Sequence, residues 1–242
     1  MLLVAISAIA AACGGSSEEK PPGPLANHFD DMYIAQVPLD QKQDVVKTQN
    51  DWSIAKMEQA KAEADYNDSA AALEVAKNDA KSAHTTLDSA MTMKGTAEKS
   101  GDMNRTNQAT KDERVAEDEA KAADEHVHYF EHYREFLKAY WRLTQETMYW
   151  REAQYELAKS QVAQKGGKAI ANVKYEWFPN QEADRARRAA HWKDKTTQSK
   201  HDAEGARQKW LDMQKTADVE SGHPQNYSTP DPMGAPAQAS GQ

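Results

Sequence analysis

The sequence has one cysteine, no long apolar run and few helix-breaking residues in its middle. Cys13 is the only cysteine among 242 residues, so no disulfide can form within one chain. No apolar run approaches the roughly 20 residues of a membrane-spanning helix. Glycines and prolines lie mostly at the two ends and at one junction. The sequence also has no phosphate-binding loop, dinucleotide-binding turn, nucleophile elbow or cysteine-based metal knuckle, so it carries no strong catalytic signature.

The chain is also poor in large apolar residues and acidic overall. Hydrophobic residues make up 39% of the sequence, much of it alanine, and the net charge is −8. Such a chain cannot build a thick globular core, but it can form narrow seams between helices. The negative charge argues against nucleic acid as a partner and leaves no polybasic patch for anionic lipid.

One long periodic segment runs from about Leu39 to about Lys94. Apolar or small residues alternate there at three- and four-residue spacings over seven heptads without a slip, which predicts a coiled-coil-like helix. The seam positions are Val45, Thr48, Trp52, Ala55, Gln59, Ala62, Tyr66, Ser69, Leu73, Ala76, Ala80, Ala83, Leu87 and Ala90. Because alanine buries little area, length must supply the stability of this helix.

Two further helices are predicted, at about residues 108–165 and 180–220. We expect a loop at residues 95–107, with Thr110 and Glu113 as a capping box in the first turns of the second helix. The second helix has two apolar stripes, which predicts that it is the central helix with partners on two sides. Gly166 is expected to end it, and Pro179 to break or kink the chain before the third helix.

The predicted fold class is therefore all-α, an elongated antiparallel three-helix bundle or coiled coil with flexible ends. The bundle covers residues 39–220, and its end at about residues 91–107 should contain only two helices. Residues 13–38 contain a Gly-Ser-Ser run and a Pro-Pro-Gly-Pro run, which predict a flexible tether. Residues 221–242 are rich in Pro, Gly, Ser and Gln and are predicted to be disordered.

The N-terminus is the most informative stretch of the sequence. An apolar run from Leu2 to Ala12 ends in small residues at Cys13, and polar residues follow at once. A run of about eleven residues suits the central part of a signal peptide and is too short to span a membrane. The stretch resembles a bacterial lipoprotein precursor, with Ala10-Ala11-Ala12-Cys13 as its lipobox.

The resemblance implies that residues 1–12 are a signal peptide and that Cys13 is the lipid attachment site, carrying palmitate or a similar acyl chain. Gly14, in place of Asp, implies the outer membrane of the bacterial cell envelope, with the periplasmic or surface face left open. Two alternatives are an ordinary secretory signal with a leftover free cysteine, and a cytosolic protein with an apolar tip.

Three histidines lie close together at His126, His128 and His132. His128, Glu131 and His132 match the His-x-x-Glu-His pattern of inverted zinc peptidases, in which two histidines ligate zinc and the glutamate is the base. The match covers five residues only and no third ligand is evident. We therefore favour a solvated helix face and predict no metal, cofactor or catalytic residue.

The aromatic residues of the second helix and the arginines of the third helix could each serve either packing or ligand binding. The aromatic residues of the second helix are expected to pack between helices rather than line a ligand groove. They are Tyr129, Phe130, Tyr133, Phe136, Tyr140, Trp141, Tyr149, Trp150 and Tyr155. Arg185, Arg187 and Arg188 are expected to form a solvated face paired with acidic residues rather than a polyanion site.

The sequence thus favours a non-enzymatic envelope lipoprotein that acts as a structural spacer or protein-docking coiled coil. Its expected partners are the membrane, through the covalent lipid, and envelope proteins; a second copy of the chain is also plausible, and nucleic acid is not expected. A periplasmic chaperone or transport-assembly subunit is the alternative from the binding class. A zinc-dependent hydrolase is the alternative from the enzyme class.

Overall fold

The computed structural model describes residues 20–166, 170, 173–225, 227–229 and 231–234. Within these ranges the chain is all-α and contains no strand. Two short 3₁₀ helices precede three long α-helices. The 3₁₀ helices are Asp31–Ile34 and Leu39–Lys42, and the long helices are α1 (Gln43–Ser100), α2 (Met103–Lys165) and α3 (Trp177–Ser221).

Helix α2 lies between the other two, as its two apolar stripes predicted. It packs against both α1 and α3, whereas no Cα of α1 comes within 8 Å of a Cα of α3 in the described part of the chain. At 58, 63 and 45 residues, the three helices are roughly 87, 95 and 68 Å long. The predicted elongated antiparallel bundle is confirmed.

The α1–α2 pairing keeps the heptad register along its length. Trp52 stacks on Tyr155 with ring centroids 5.8 Å apart, and two heptads further along α1 Tyr66 stacks on Trp141 at 5.5 Å. The aromatic half of α2 therefore meets the Trp52 and Tyr66 end of α1, as expected. The antiparallel course follows from the short connection between the helices.

The end of the bundle near the α1–α2 turn has only two helices. Arg114 of α2 pairs with Glu220 of α3, and α3 ends one residue later. Beyond this level α1 and α2 continue alone and are joined by the ion pair between Lys94 and Glu113, with 2.6 Å between Nζ and Oε2. We call this end the tip, and the opposite end, where α2 stops and α3 starts, the base.

The predicted loop at residues 95–107 is wrong for most of its length. Helix α1 continues through Gly95 to Ser100, and the turn consists of Gly101 and Asp102 alone. Gly101 has a φ of 68°, the left-handed conformation that favours glycine, and the Asp102 carboxylate accepts the N–H groups of Asn104 and Arg105. A glycine inside a helix costs about 1 kcal/mol, which the long helix tolerates.

Two smaller predictions about the helix ends are also corrected. Thr110 is no cap, since its hydroxyl donates to the Thr106 carbonyl inside α2. Helix α3 begins at Trp177, so Pro179 lies in its first turn, where the missing N–H has no helical acceptor to lose. Gly166 does end α2, as predicted.

The two segments predicted to be flexible are docked on the bundle where the structure describes them. In the predicted tether of residues 13–38, Leu25, Phe29 and Ile34 are buried. In the predicted tail of residues 221–242, Tyr227 and Met233 pack against a cluster that includes Trp210. Gly, Ser and Pro content predicted mobility, but a few large apolar residues in each segment have a groove to fill. The predicted signal peptide and Cys13 lie outside the described residues.

Candidate functional site

Lys20 is the first described residue after the predicted anchor, and its carbonyl is held by the bundle. The Arg188 Nη2 of α3 donates to this carbonyl at 2.8 Å, and the Arg142 Nη2 of α2 donates to it as well. Only six residues separate Lys20 from Cys13 in the sequence. The chain therefore meets α2 and α3 within a short distance of the predicted lipid attachment site.

A buried carboxylate holds both arginines in place. Glu146 is 0% exposed, and its Oε1 lies 2.8 Å from a guanidinium nitrogen of both Arg142 and Arg188. Arg188 Nε also donates to Glu146 Oε2 at 3.0 Å. A carboxylate in this position must be paired, because an isolated buried charge costs several kcal/mol. We call these three residues the arginine clamp.

Closer to the base, the side-chain amide of Gln181 binds the backbone of the N-terminal segment at Asn27. The Asn27 N–H donates to Gln181 Oε1 at 3.0 Å, and Gln181 Nε2 donates to the Asn27 carbonyl at 3.0 Å. Both polar groups of one peptide residue are thus satisfied by one side chain of α3, which fixes the segment without a helix or a strand.

Phe29 is the apolar anchor of the segment. Its ring is 2% exposed and lies edge-on to Phe178, with ring centroids 5.6 Å apart. Val45 and Val162 belong to the same cluster, so α1, α2 and α3 all contribute to the pocket. Full burial of such a ring is worth about 2–3 kcal/mol.

A second ion cluster lies next to Phe29 and combines the buried Glu156 and Lys159 with the exposed Asp31. Glu156 accepts the Phe29 N–H at 2.6 Å and lies 2.9 Å from Lys159 Nζ, which also reaches Asp31 at 2.9 Å. Burial opposes the charge on Lys159, but the hydrogen bonds to Asp31 and Glu156 outweigh it and raise its pKa above the usual value. Lys159 therefore keeps its charge and joins the segment to α2.

The C-terminal segment makes a different kind of contact, through an aromatic cluster. His126 is 0% exposed, and its ring centroid lies 4.3 Å from both Trp210 and Tyr227. Neither ring nitrogen has a hydrogen-bond partner within the part of the chain that the structure describes. Burial lowers the pKa of His126 to about 4, although the nearby Asp231 opposes the shift.

Asp231 fixes the C-terminal segment over this cluster. Its carboxylate accepts from the Tyr129 hydroxyl at 2.7 Å and from Arg207 Nε at 2.7 Å. Burial works against the charge on Asp231, but these two donors lower its pKa below the usual value. The segment thus covers His126 from the side of α3.

The three neighbouring histidines of α2 have different surroundings, since His126 is buried whereas His128 and His132 are exposed. His126 is inside the bundle, so its assignment to a solvated face is wrong. His128 is exposed and lies 3.4 Å from Glu131 within one turn of α2. No group of three metal-binding side chains forms among the described residues.

The predicted arginine face is only partly a solvated face. Arg187 pairs with Asp184 on the exposed side of α3, as expected. Arg188 belongs to the arginine clamp, and Arg185 donates to the Gly23 carbonyl at 2.9 Å. Two of the three arginines therefore hold the N-terminal segment.

Four of the aromatic residues of α2 pack between helices, as predicted, namely Tyr129, Phe130, Trp141 and Tyr155.

The sequence did not predict the buried charges Arg142, Glu146, Glu156 and Lys159. Their only sequence signal is the spacing of opposite charges by four and by three residues on one helix, a pattern that also occurs on solvated faces.

In the described ranges, the chain forms no helix with the length and apolar character needed to cross a lipid bilayer. No protein-family model, curated protein or solved structure matches this chain.

Proposed function

We propose that this protein is a non-enzymatic, lipid-anchored lipoprotein of the bacterial cell envelope, in the outer membrane, and that its helical bundle is a spacer or docking rod. The acyl chains on Cys13 hold it to the membrane, and its partners are other envelope proteins. The observation that carries the proposal is the clamping of Lys20, seven positions after Cys13, by Arg142 and Arg188.

A clamp at this place has a mechanical consequence for an anchored rod. A flexible tether transmits no orientation, whereas a segment bound by the arginine clamp, by Gln181 and around Phe29 moves with the bundle. The residues that achieve this are buried ion pairs and a buried ring, which are costly unless they are well paired. Contacts so close to the predicted processing site suit a bundle that is anchored there.

The rod shape supports the spacer part of the proposal. Helix α2 spans roughly 95 Å, far more than a globular domain of this chain length needs. The tip exposes several methionines on α1 and α2, namely Met91, Met93 and Met103. Exposed, flexible apolar side chains at the end of a rod suit contact with a partner protein.

The test is incorporation of radiolabelled palmitate into the full chain in a bacterial host, combined with membrane fractionation. We compare the native protein with Cys13→Ala, and use Ser16→Ala as a matched control in the same stretch. The expected result is label and outer-membrane location for the native protein and the control, and loss of both in Cys13→Ala. Absence of label from the native protein would overturn the anchor and with it the proposed function.

A further inference from the structure

We infer that the anchored bundle cannot stand upright on the membrane and instead leans on it, with the α2–α3 face that binds residues 20–24 turned towards the lipid surface. The inference rests on the proposed lipid anchor at Cys13. It follows from the place where the chain leaves the bundle and from the length of chain between that place and Cys13.

The exit point lies on the side of the rod rather than at its end. The Lys20 carbonyl is bound by Arg142 of α2 and by Arg188 of α3, and Arg188 itself pairs with Glu146 of α2. The exit point therefore lies along α2 between residues 142 and 146. Helix α2 continues from there to Lys165, so the exit point lies about 30–35 Å from the base. In the other direction it lies about 60 Å from the tip.

The chain between the lipid and the exit point is too short for an upright rod. Seven residue steps lead from Cys13 to Lys20 and span at most about 25 Å when fully extended. With the base on the membrane and the axis vertical, Lys20 would be about 30–35 Å above the surface. With the tip on the membrane it would be about 60 Å above it, so neither upright orientation can be reached.

The same lengths set the smallest tilt. At full extension of the seven steps, the rod axis must lean at least roughly 35° from the membrane normal. A coil of seven residues spans roughly 15 Å on average, which corresponds to a lean of roughly 60°. The height of the tip above the membrane is then at most about 80 Å and on average about 50 Å, compared with about 95 Å for an upright rod.

Chain length, rather than attraction to headgroups, sets this orientation. The exposed charges near the exit point are mixed, since Lys138 pairs with Glu135 and Arg187 pairs with Asp184. The whole chain carries a net charge of −8. The lean should therefore be the same on zwitterionic and on weakly anionic bilayers and should change little with salt.

The experiment measures the thickness of the protein layer by neutron reflectometry. The lipidated full chain is reconstituted in supported bilayers of phosphatidylcholine. A variant with 14 Gly and Ser residues inserted between Ser17 and Glu18 can reach beyond about 70 Å and is free to stand upright. The matched control carries the same 14 residues after Gln242, which adds the same mass and leaves the anchor spacing unchanged.

We expect a layer thinner than about 80 Å for the native chain and the control, and a thicker layer for the inserted variant. A native layer of about 95 Å would overturn the inference, and so would equal thickness of all three proteins. These outcomes leave the anchor intact, because mass spectrometry of the reconstituted protein reports the lipid on Cys13 separately. A native chain without lipid would overturn the proposed function and this inference together.

Discussion

The two halves of the rod are built from different side chains. Towards the tip, the buried residues of α1 and α2 are almost all alanines, namely Ala80, Ala90, Ala97, Ala116, Ala120, Ala122 and Ala123. The rings of Tyr129 and Phe130 are buried near the middle, and towards the base α2 buries the charged residues Arg142, Glu146, Glu156 and Lys159. The same helix thus forms a thin seam at one end and a polar and aromatic core at the other.

The difference follows from the number of segments that each half must hold. Alanine lets two helices approach closely but buries little area, so the tip depends on many weak contacts in register. The base and middle also bind residues 20–38 and the C-terminal segment, which form few backbone hydrogen bonds of their own. Large rings and directed ion pairs supply the specific contacts that these segments need.

The largest expected effect comes from neutralising the carboxylate of the arginine clamp. Glu146→Gln removes the buried carboxylate that pairs with both Arg142 and Arg188, and breaking a buried pair in this way costs about 3–5 kcal/mol. We expect the free energy of unfolding, measured by urea titration with circular dichroism at pH 7, to fall by about that amount. Hydrogen exchange of the Asn27 and Phe29 N–H groups, which donate to Gln181 and Glu156, should rise in the same variant.

The matched control for this change is Glu135→Gln, about three turns nearer the tip on the same helix. Glu135 also pairs with a cation on α2, but the pair with Lys138 is exposed, so its loss should cost at most about 1 kcal/mol. Equal stability of the two variants would contradict this prediction, because it would mean that the buried charges of the base contribute no more than an exposed surface pair.

The next effect concerns pH and the aromatic cluster in the middle of the rod. The pKa of His126 is about 4 in the folded protein, against an ordinary value of 6.5. Between these values the unfolded chain binds the proton more readily, so stability falls as the pH is lowered from 6.5 to 4. We expect a loss of about 3 kcal/mol over this range and no contribution from His126 above it.

Urea titrations at several pH values check this, with His128→Gln as the control. His128 is exposed on the same helix, and its replacement should leave the pH dependence unchanged. His126→Leu should remove the fall in stability between pH 6.5 and 4, because the lowered pKa of Asp231 acts mainly below this window and the raised pKa of Glu152 acts in the opposite sense. A native protein whose stability is flat over this range would show that His126 is not held neutral by burial.

The sequence predicted the helices well and the terminal segments poorly, for one physical reason. Heptad spacing is a local, repeated signal, so the register of α1 and the central place of α2 could be derived from positions such as Trp52, Tyr66 and Leu73. Docking of residues 20–38 depends on a groove made by three helices far apart in the sequence. Nothing in a Pro-Pro-Gly-Pro run shows that Phe29, five residues later, has a pocket to enter.

The same limit applies to the charged residues. Arg142 with Glu146 and Lys138 with Glu135 are similar pairs in the sequence, and only the fold buries the first and exposes the second. His126 and His128 differ in the same way, since two positions along a helix turn a side chain from the core to solvent. Burial of a polar residue is a property of the assembled bundle, and the sequence alone favoured the solvated interpretation.

The smallest expected effects are at the tip, where two glycines provide a matched pair. Gly95 lies inside α1 with open space around the position of a Cβ, so Gly95→Ala should stabilise the helix by about 0.5–1 kcal/mol. Gly101 has equally open surroundings but a φ of 68°, so Gly101→Ala should destabilise the turn by about 1 kcal/mol. A Cβ would meet no neighbouring atom at either site, so the two variants differ only in the backbone conformation of the substituted residue.

Hydrogen exchange of residues 95–110 measures both changes where they act. In a half of the rod that is held by alanine seams, a change at the turn should alter protection over several helical turns, since no large side chain stops the fraying. The same variants should leave the exchange of residues 20–38 unaltered, because the base has its own ion pairs and rings. Equal changes at both ends would mean that the rod unfolds as one unit, and that the alanine tip is as firmly held as the clamped base.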